Sequence, residues 1–423
     1  MTGGENVRKR NGRIPIKMWP SPGVRLCFSR KILTSRIQSA YLTTSSRCQS
    51  LTDQFRQAQE VRAKEARTRP IFRTIIAEPA KHSLQQEGMF YTIPKDESDR
   101  YLQKGFSTEF IRTIKTFNEC SLMVRKPAIE VIHYLKQMNY NQPAVRYVLY
   151  GPKGSGRTLT LAHVLHHCAL DNWLLVHCPW PRYWCNRYNM EISMSSSRPG
   201  RVDQPLEAID WLKWFRQQNG HLLSEHSLKT TKTYVWSKRE QTEEGASWLA
   251  VIEYGITRAK YAADCIGVLL REIKLQSKDQ KFKTLVMADG VNAFWSETKM
   301  KDEDRKEVPV EKLTMMHNFK KMFKNDWTNA AIVTSVDQHA SPLRAESYLP
   351  RYLLGKEGFE LFDPFVPIEV PAYNEKEIYS CLEYYGDRMW IQTPKGKTDE
   401  GKKELIFLSE YNPLALSELT AAW

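Results

Sequence analysis

Five apolar runs of strand length recur along this chain, with amphipathic segments between them. The runs cover residues 147–150, 173–178, 282–288, 330–336 and 365–370. Short apolar runs bounded by turns are typical of buried strands, and their alternation with helices is typical of a parallel α/β sheet. Pro367 cannot donate a backbone hydrogen bond, which places the fifth run at a sheet edge.

The segments between the runs carry apolar residues at helical spacing. Helices are predicted over residues 107–117, 127–135, 159–168, 205–218, 247–276 and 310–325. Pro127 suits the first turn of the second helix, because proline lacks the N–H that a first turn leaves unpaired. Trp211 and Trp214 of the fourth helix are interpreted as core or partner contacts.

The pattern divides the chain into four parts. Residues 1–50 are predicted to be a mitochondrial presequence, 51–106 a helix and an extended arm, 107–371 the core, and 372–423 a small helical lid. Within the lid, Asn374 is predicted to cap a helix, and a second helix contains Ile406. The chain then turns at Asn412–Pro413.

Positive charge is concentrated at the N-terminus. The formal net charge is +14, and residues 1–52 hold ten Lys and Arg against the single acid Glu5, which leaves 52 basic and 47 acidic residues elsewhere. An Arg-rich, Ser/Thr-rich, nearly acid-free N-terminus indicates mitochondrial targeting; the alternative is a disordered basic tail. The remaining charge does not establish RNA binding.

Aromatic and basic residues alternate between residues 180 and 188. This pattern suits stacking on RNA bases, but a structured loop with buried aromatic side chains is the favoured interpretation. The eight cysteines are scattered without a C-x-x-C pair, which predicts reduced, mostly buried thiols in an intracellular compartment. No apolar run approaches the length of a bilayer span, so no membrane partner is predicted.

A glycine-rich loop between the first strand and the following helix is the main chemical signal. It matches the phosphate-binding pattern G-x-x-x-x-G-K-[ST], with Arg157 at the lysine position. Its glycines permit backbone conformations that turn N–H groups inward, and the helix N-terminus adds its dipole. The candidate phosphate-binding residues are Gly151, Pro152, Lys153, Gly154, Ser155, Gly156, Arg157 and Thr158. An arginine keeps the charge but not the compact ammonium, which weakens the case for catalysis more than for binding.

An aspartate at the end of the third strand completes the candidate metal site. Asp289 has the position of a Walker B carboxylate, and Thr158 offers a hydroxyl, so both are predicted to hold Mg²⁺. Many hydrolases place a glutamate next, to activate water, but here Gly290 follows. The sequence therefore offers no evident catalytic base.

Two further groups are weaker candidates. Thr334 and Ser335 end the fourth strand, where a sensor of the γ-phosphate is expected. Met123, Val124 and Arg125 precede the helix that leads into the P-loop strand, and in many nucleotide-binding cores this segment covers the base. The alternative for Thr334 and Ser335 is that hydroxyl groups are ordinary at strand ends. For the residues of the helix itself, simple core packing is favoured.

The chain looks like an additional-strand P-loop NTPase of the AAA+/STAND-like class. Within that class it resembles the death-associated protein 3 family, the GTP-binding protein of the mitochondrial ribosomal small subunit. The matching stretches are residues 122–135, 144–168, 201–215, 234–240, 286–295, 324–327, 348–360 and 400–413. They follow one another in collinear order over most of residues 85–413.

The resemblance implies the mitochondrial matrix and the head of the small ribosomal subunit. It implies contacts with small-subunit ribosomal RNA and proteins, bridges to large-subunit proteins, and an association with apoptosis. It also implies bound GTP or GDP with Mg²⁺; the residues themselves leave ATP open. In the lid of this NTPase class an arginine often follows a turn such as Asn412–Pro413, and here the residue is Leu414.

These features favour a structural ribosomal protein that holds its nucleotide with little or no hydrolysis. The first alternative is an active GTPase or ATPase switch that controls ribosome assembly or subunit joining. The second is an apoptosis-linked signalling adaptor that acts outside the ribosome.

Overall fold

The computed structural model describes residue 56 and residues 71–421, except 187–190, 196, 226–227, 302–304 and 342–345. The predicted presequence, residues 1–50, therefore lies outside the described residues. So does the helix predicted over 53–69, apart from residue 56.

A five-stranded parallel sheet forms the centre of the fold. The strands in chain order are β1 (Phe90–Ile93), β2 (Cys120–Met123), β3 (Val145–Tyr150), β4 (Leu174–Cys178), β5 (Ser193–Met194), β6 (Val202–Asp203), β7 (Tyr234–Val235), β8 (Gln241–Thr242), β9 (Thr284–Ala288), β10 (Ala330–Ser335) and β11 (Val366–Glu369). The central sheet has the order β11-β3-β10-β9-β4, and all its neighbouring pairs are parallel. All five predicted strands are confirmed, and β11 is at the edge, as Pro367 predicts.

Helices cover both faces of this sheet. They are α1 (Thr108–Phe117), α2 (Lys126–Gln137), α3 (Arg157–Leu170), α4 (Pro205–Glu225), α5 (Trp248–Thr257), α6 (Ala262–Gln276), α7 (Thr314–Lys320), α8 (Pro350–Phe362), α9 (Glu375–Asp387), α10 (Asp399–Ser409) and α11 (Pro413–Thr420). Shorter turns are a three-residue α-turn at Lys95–Glu97, a π-turn at Ser98–Leu102, and 3-10 turns at Pro79–Lys81, Leu84–Gln86, Gln103–Gly105, Pro181–Trp184, Ala259–Tyr261, Ser277–Asp279, Val291–Trp295, Val310–Lys312, Lys321–Phe323, Gln338–Ala340 and Lys395–Lys397.

The strands of the central sheet alternate between two cores. In β3, Val148 packs into the core that contains residues of α4 to α8, whereas Tyr147 and Leu149 pack into the core that contains residues of α2 and α3. This alternation follows from the two-residue period of a strand. Trp211 and Trp214 are both buried core residues. The sheet is therefore buried on both faces, as a parallel sheet requires.

Two predicted helices are shorter than the pattern indicates. The helix predicted over 247–276 is wrong as one element: α5 ends at Thr257, Arg258 is not helical, and α6 begins at Ala262. The apolar spacing continues across the break because both helices pack into the same core. They are in close contact there: a Cβ on Gly255 of α5 would lie 2.9 Å from the Cβ of Cys265 of α6. The helix predicted over 310–325 is reduced to α7, with a 3-10 turn on each side.

The predicted extended arm is folded onto the body. Its strand β1 pairs antiparallel with β2, a strand that the apolar pattern does not predict. Arg73 also forms an ion pair with Glu119, with 2.8 Å between Nη2 and Oε1. The segment 71–105 thus contains short turns and a paired strand rather than an extended chain, because its apolar residues fill part of the core.

The lid consists of α9, α10 and α11. Asn374 caps α9 as predicted, in a capping box with Glu377. The turn predicted at Asn412–Pro413 begins a further helix, α11, which Asn412 caps. The lid core also includes Phe117 of α1 and Met123 of β2.

The thiols of the described residues are reduced and buried, as the sequence predicts. The six described cysteines are free and buried: Cys120, Cys168, Cys178, Cys185, Cys265 and Cys381. None of the helices in the described part of the chain has the length and apolar character needed to cross a bilayer. Trp184 and Arg182 of the aromatic segment are buried, which favours the structured-loop interpretation.

Candidate functional site

The glycine-rich loop lies at the carboxyl end of β3, where open α/β sheets bind their ligands. A side chain on Gly151 would collide with the carbonyl oxygen of Val370, so only glycine fits there. Gly156 has φ +96° and leads directly into α3 at Arg157. The first turn of α3 leaves backbone N–H groups without helical partners, and groups of this kind can bind an anion at a helix N-terminus.

Thr158 and Asp289 form the centre of the candidate metal site. The hydroxyl of Thr158 donates to Asp289 Oδ2 at 2.5 Å. Ser335 donates to the other carboxylate oxygen and accepts from the N–H of Gly290 at 3.0 Å. Burial raises the pKa of Asp289, while the hydrogen bonds from Ser335 and Thr158 act in the opposite direction.

Arg157 is directed into the protein rather than into open space. Its Nη1 donates to the carbonyl of Gly151 at 2.7 Å and to that of Val336 at 3.0 Å, and its Nη2 pairs with Asp337. The residue is only 5% exposed. Asp337 is held in turn by the N–H of His339 at 2.7 Å. Arg157 therefore joins the start of the loop to the segment that follows β10.

A second buried arginine joins the loop to the lid. Arg125 Nε lies 3.0 Å from Glu377 Oε1, and Arg125 Nη1 donates to the carbonyl of Ser155 at 2.6 Å. Its Nη2 also donates to the carbonyl of Pro371 at 3.0 Å, and its guanidinium stacks 5.0 Å from the ring centroid of Tyr373. The loop, β2 and the lid are thus connected through one guanidinium.

A cavity of about 350 Å³ opens from the loop toward α1 and the lid. At one end it is lined by Lys153, Gly154, Gly156, Arg157, Thr158, Asp337 and His339. Its apolar and aromatic lining includes Phe110, Ile114, Phe117, Met123, Tyr373, Tyr384 and Tyr385. The cavity thus combines the loop with an apolar and aromatic lining, which also carries the polar residues Glu119 and Ser121. A cavity of this volume and lining suits a ligand with a charged group and a planar ring.

The lid contacts the loop directly. Asn412 Nδ2 donates to the carbonyl of Lys153 at 2.7 Å, and the N–H of Leu414 donates to the carbonyl of Gly154 at 3.2 Å. Leu414, at the position where an arginine is often found, therefore packs on the loop itself.

Within each of the two weaker candidate groups, the structure places some residues at the site and others in the core. Met123 and Arg125 line the cavity, while Val124 is fully buried in the core beneath it. Ser335 contacts Asp289, while the Thr334 hydroxyl donates to the carbonyl of Tyr147 at 3.3 Å inside the sheet.

In the loop, the carbonyl of Pro152 accepts a backbone hydrogen bond from Ser155. The hydroxyl of Ser155 is buried without a partner among the described residues.

Sequence reasoning missed three residues of the site. Asp337 lies two residues past the end of β10. In the sequence it was detectable as an acidic residue just beyond the predicted sensor position. Glu377 was detectable as the acidic residue three positions after the cap Asn374. His339 carries no motif, and only the fold brings it to the cavity.

A nucleotide with Mg²⁺ fits these residues. The loop supplies a cradle in which a side chain at Gly151 cannot be accommodated, and the buried Ser155 hydroxyl is available to a ligand. Thr158 and Asp289 are the oxygen donors that Mg²⁺ prefers. The described residues contain no group of three or more His, Cys, Asp or Glu that could hold a metal ion. Mg²⁺ bound at Thr158 and Asp289 would take its remaining ligands from water or from phosphate oxygens.

Two solved structures match this chain at low structural similarity. The Aeropyrum pernix ORC2 protein in its ADP form matches with a TM-score of 0.33 and 14% identity, covering 72% of this chain and 64% of that one. The E. coli MS115-1 HORMA:CdnC:Trip13 complex contains a chain that matches with a TM-score of 0.27 and 10% identity, covering 78% of this chain and 82% of that one.

Sequence relatives are much closer. The small ribosomal subunit protein mS29 of Bos taurus is 47% identical over 356 residues, which are 84% of this chain and 89% of the relative. The Mus musculus protein of the same name is 46% identical over 357 residues, covering 84% and 90%. A sequence model described as mitochondrial ribosomal death-associated protein 3 matches residues 122–419. The chain belongs to the mitochondrial ribosomal death-associated protein 3 family.

Proposed function

We propose that this chain is a structural component of the small subunit of the mitochondrial ribosome, where it holds a guanine nucleotide with Mg²⁺. The observation that carries the ribosomal part is the high identity, over most of the chain, to relatives named as small ribosomal subunit proteins. Its location is then the mitochondrial matrix. Its partners are small-subunit ribosomal RNA and proteins in the head region, with bridges to large-subunit proteins.

The Thr158–Asp289 pair supports the nucleotide part of the proposal. A hydroxyl at the start of the loop helix and a carboxylate at the end of a neighbouring strand are the two protein groups that hold Mg²⁺ in P-loop proteins. The loop meets the phosphates, and the apolar and aromatic part of the cavity, including Met123, Phe117 and Tyr384, receives the base. The choice of guanine comes from the family, and GTP or GDP is the proposed ligand.

Retention of the nucleotide is favoured over turnover. Gly290 occupies the position of the usual glutamate, and Leu414 occupies that of the usual arginine. A nucleotide that binds only the folded state stabilises it by about 4 kcal/mol when its concentration is roughly 1,000 times Kd. The ligand then acts as part of the core.

Sedimentation of mitochondrial lysate tests the ribosomal part. A tagged full-length chain is expected to co-sediment with small-subunit ribosomal RNA at high Mg²⁺, and also in the fraction that contains both subunits. A chain that stays at the top of the gradient, away from that RNA, would refute the ribosomal role and favour an adaptor.

Denaturing extraction of the purified small subunit tests the nucleotide part. Mass spectrometry of the extract is expected to show one guanine nucleotide per chain, and none when Thr158→Ala replaces the native chain. Turnover faster than one per minute by the purified protein would instead favour the switch.

Targeting by residues 1–50 and the apoptosis association remain predictions. Fusion of residues 1–50 to a reporter, followed by imaging, tests the targeting prediction.

A further inference from the structure

Four basic side chains lie where the cavity meets the loop, and they differ in the protein contacts that they already make. Those that line the cavity are Arg125, Lys153, Arg157 and His339. A P-loop protein is expected to use the cation of the motif position, which is Arg157 here, on the terminal phosphates. The contacts of the two arginines and of Lys153 argue for a different assignment.

Arg157 is already occupied by protein groups. Its two terminal nitrogens reach the carbonyls of Gly151 and Val336 and the carboxylate of Asp337, and the side chain is buried. A planar guanidinium can satisfy two carbonyls and one carboxylate at once, whereas a lysine ammonium acts as a single point charge. Moving Arg157 to a phosphate would leave Asp337 without its cation, and removing one partner of a buried pair is strongly destabilising.

Arg125 is occupied in the same way. It pairs with Glu377, donates to the carbonyl of Ser155 at 2.6 Å, and donates to the carbonyl of Pro371 at 3.0 Å. Its side chain is 7% exposed. This arginine holds the loop and the lid together, so it cannot turn toward a phosphate without releasing both.

Lys153, unlike the two arginines, has a side chain that is free to meet a ligand. It is exposed on the loop itself, beside Gly154, Gly156 and Thr158 in the cavity lining. Within the described residues its ammonium has no hydrogen-bond or ion-pair partner. Its backbone is nevertheless fixed, because Asn412 donates to its carbonyl at 2.7 Å. A compact charge on a flexible stem, anchored at its base, suits a phosphate ligand.

We propose that Lys153, and not Arg157, supplies the positive charge that meets the terminal phosphates of the nucleotide, and that Arg157 is a structural residue joining the loop to Asp337. This assignment rests on the proposed nucleotide binding. It places the phosphate cation four residues before the motif position. It also makes phosphate binding depend on the lid, because Asn412 of the lid positions Lys153.

The purified full-length chain is first freed of bound nucleotide by chelation of Mg²⁺ and dialysis. Titration with fluorescent methylanthraniloyl derivatives of GDP and GTP, after Mg²⁺ is restored, tests the assignment. Lys153→Met is expected to weaken binding of both probes at least tenfold and to leave the melting temperature of the nucleotide-free protein unchanged. Arg157→Met is expected to lower that melting temperature. Lys115→Met, an exposed lysine of α1 outside the cavity lining, serves as the matched control and is expected to change neither quantity.

Three outcomes are decisive against the assignment. Wild-type affinity in Lys153→Met overturns it, as does a loss of affinity in His339→Gln that Lys153→Met does not share. An Arg157→Met variant that binds the probes more weakly than wild type, but melts at the same temperature without nucleotide, would assign the phosphate role to Arg157 instead. If the wild-type chain binds neither probe and releases no nucleotide on denaturation, the proposed nucleotide binding itself fails, which is a distinct result.

Discussion

The hydroxyl of Thr158 lies 2.5 Å from the carboxylate of Asp289, although 131 residues separate the two in sequence. The hydrogen bond joins the first turn of α3 to the end of β9. It exists because β3 and β9 flank β10 in the same parallel sheet, so that their carboxyl ends open at one edge. The juxtaposition of these two candidate metal ligands is therefore a direct product of the strand order.

Thr158→Ala is expected to lower nucleotide occupancy and thermal stability together. The substitution removes the proposed hydroxyl ligand of Mg²⁺ together with the hydrogen bond to Asp289. Each tenfold loss of nucleotide affinity removes about 1.4 kcal/mol of ligand stabilisation. Nucleotide content by mass spectrometry and melting by calorimetry measure the two effects. Thr158→Ser keeps the hydroxyl and should behave like wild type. Loss of nucleotide without a change in melting would show that the ligand is not structural.

The apolar pattern predicts the central sheet well, because each strand is a short apolar run between helices. It does not predict β2, since Cys120–Met123 is only four residues long and contains a serine. The break at Arg258 is also hidden, because α5 and α6 bury their apolar faces in one core. Apolar spacing reports burial, and two helices that share a core produce a continuous signal.

The site is predictable only where its residues follow the motif. The loop and Asp289 are read from local sequence, and the structure brings Thr158 and Asp289 together. The partner of Arg157 is 180 residues away, and no local pattern indicates that Asp337 will lie beside the loop. The pairing of Arg125 with Glu377 spans 252 residues and depends on the lid folding back over the loop.

Breaking the Arg125–Glu377 pair is expected to cost about 3–5 kcal/mol of the free energy of unfolding, because either substitution leaves an uncompensated buried charge. The two side chains are 7% and 3% exposed. Arg125→Met combined with Glu377→Met should cost less than the sum of the single substitutions. Urea unfolding at neutral pH measures all three variants.

The exposed Lys81–Glu78 pair is the matched control. Its side chains are 66% and 58% exposed, so Glu78→Met should cost less than about 1 kcal/mol. A Glu377→Met variant no less stable than Glu78→Met would contradict the structural role of the buried pair.

Gly154→Ala is expected to displace the lid from the loop. Gly154 has φ +77°, and a Cβ there would lie 2.6 Å from Asn412 Oδ1 and 2.7 Å from Leu414 Cβ. Gly245 has φ +79° with nothing within 4 Å, so Gly245→Ala carries the same backbone strain, about 1–2 kcal/mol, without the collision.

The two glycine variants separate strain from collision. Gly154→Ala should unfold at lower urea than Gly245→Ala and show faster hydrogen exchange in α11, whereas Gly245→Ala should leave exchange in α11 unchanged. Equal stability and equal exchange in the two variants would mean that the lid does not rest on the loop.

Acid is expected to destabilise the fold through His177. This side chain of β4 is buried, and its Nδ1 lies 3.4 Å from Trp214 Nε1 and 3.3 Å from Gln218 Nε2, both of which are donors. Burial lowers the pKa of His177 to about 3. The neutral ring is thus the folded form, and its stabilising effect is complete above the unfolded pKa of about 6.5 and is lost as the pH falls from there toward 3.

Comparison of variants isolates this contribution. By linkage, one histidine that stays neutral in the folded state loses about 2 kcal/mol between pH 7 and pH 5, because the unfolded chain binds a proton that the folded chain does not. The free energy of unfolding of His177→Gln should fall less over this range than that of wild type. His133→Gln, at an exposed position of α2, should keep the wild-type dependence. An identical decrease in wild type and His177→Gln would show that His177 is protonated as readily in the folded chain as in the unfolded one.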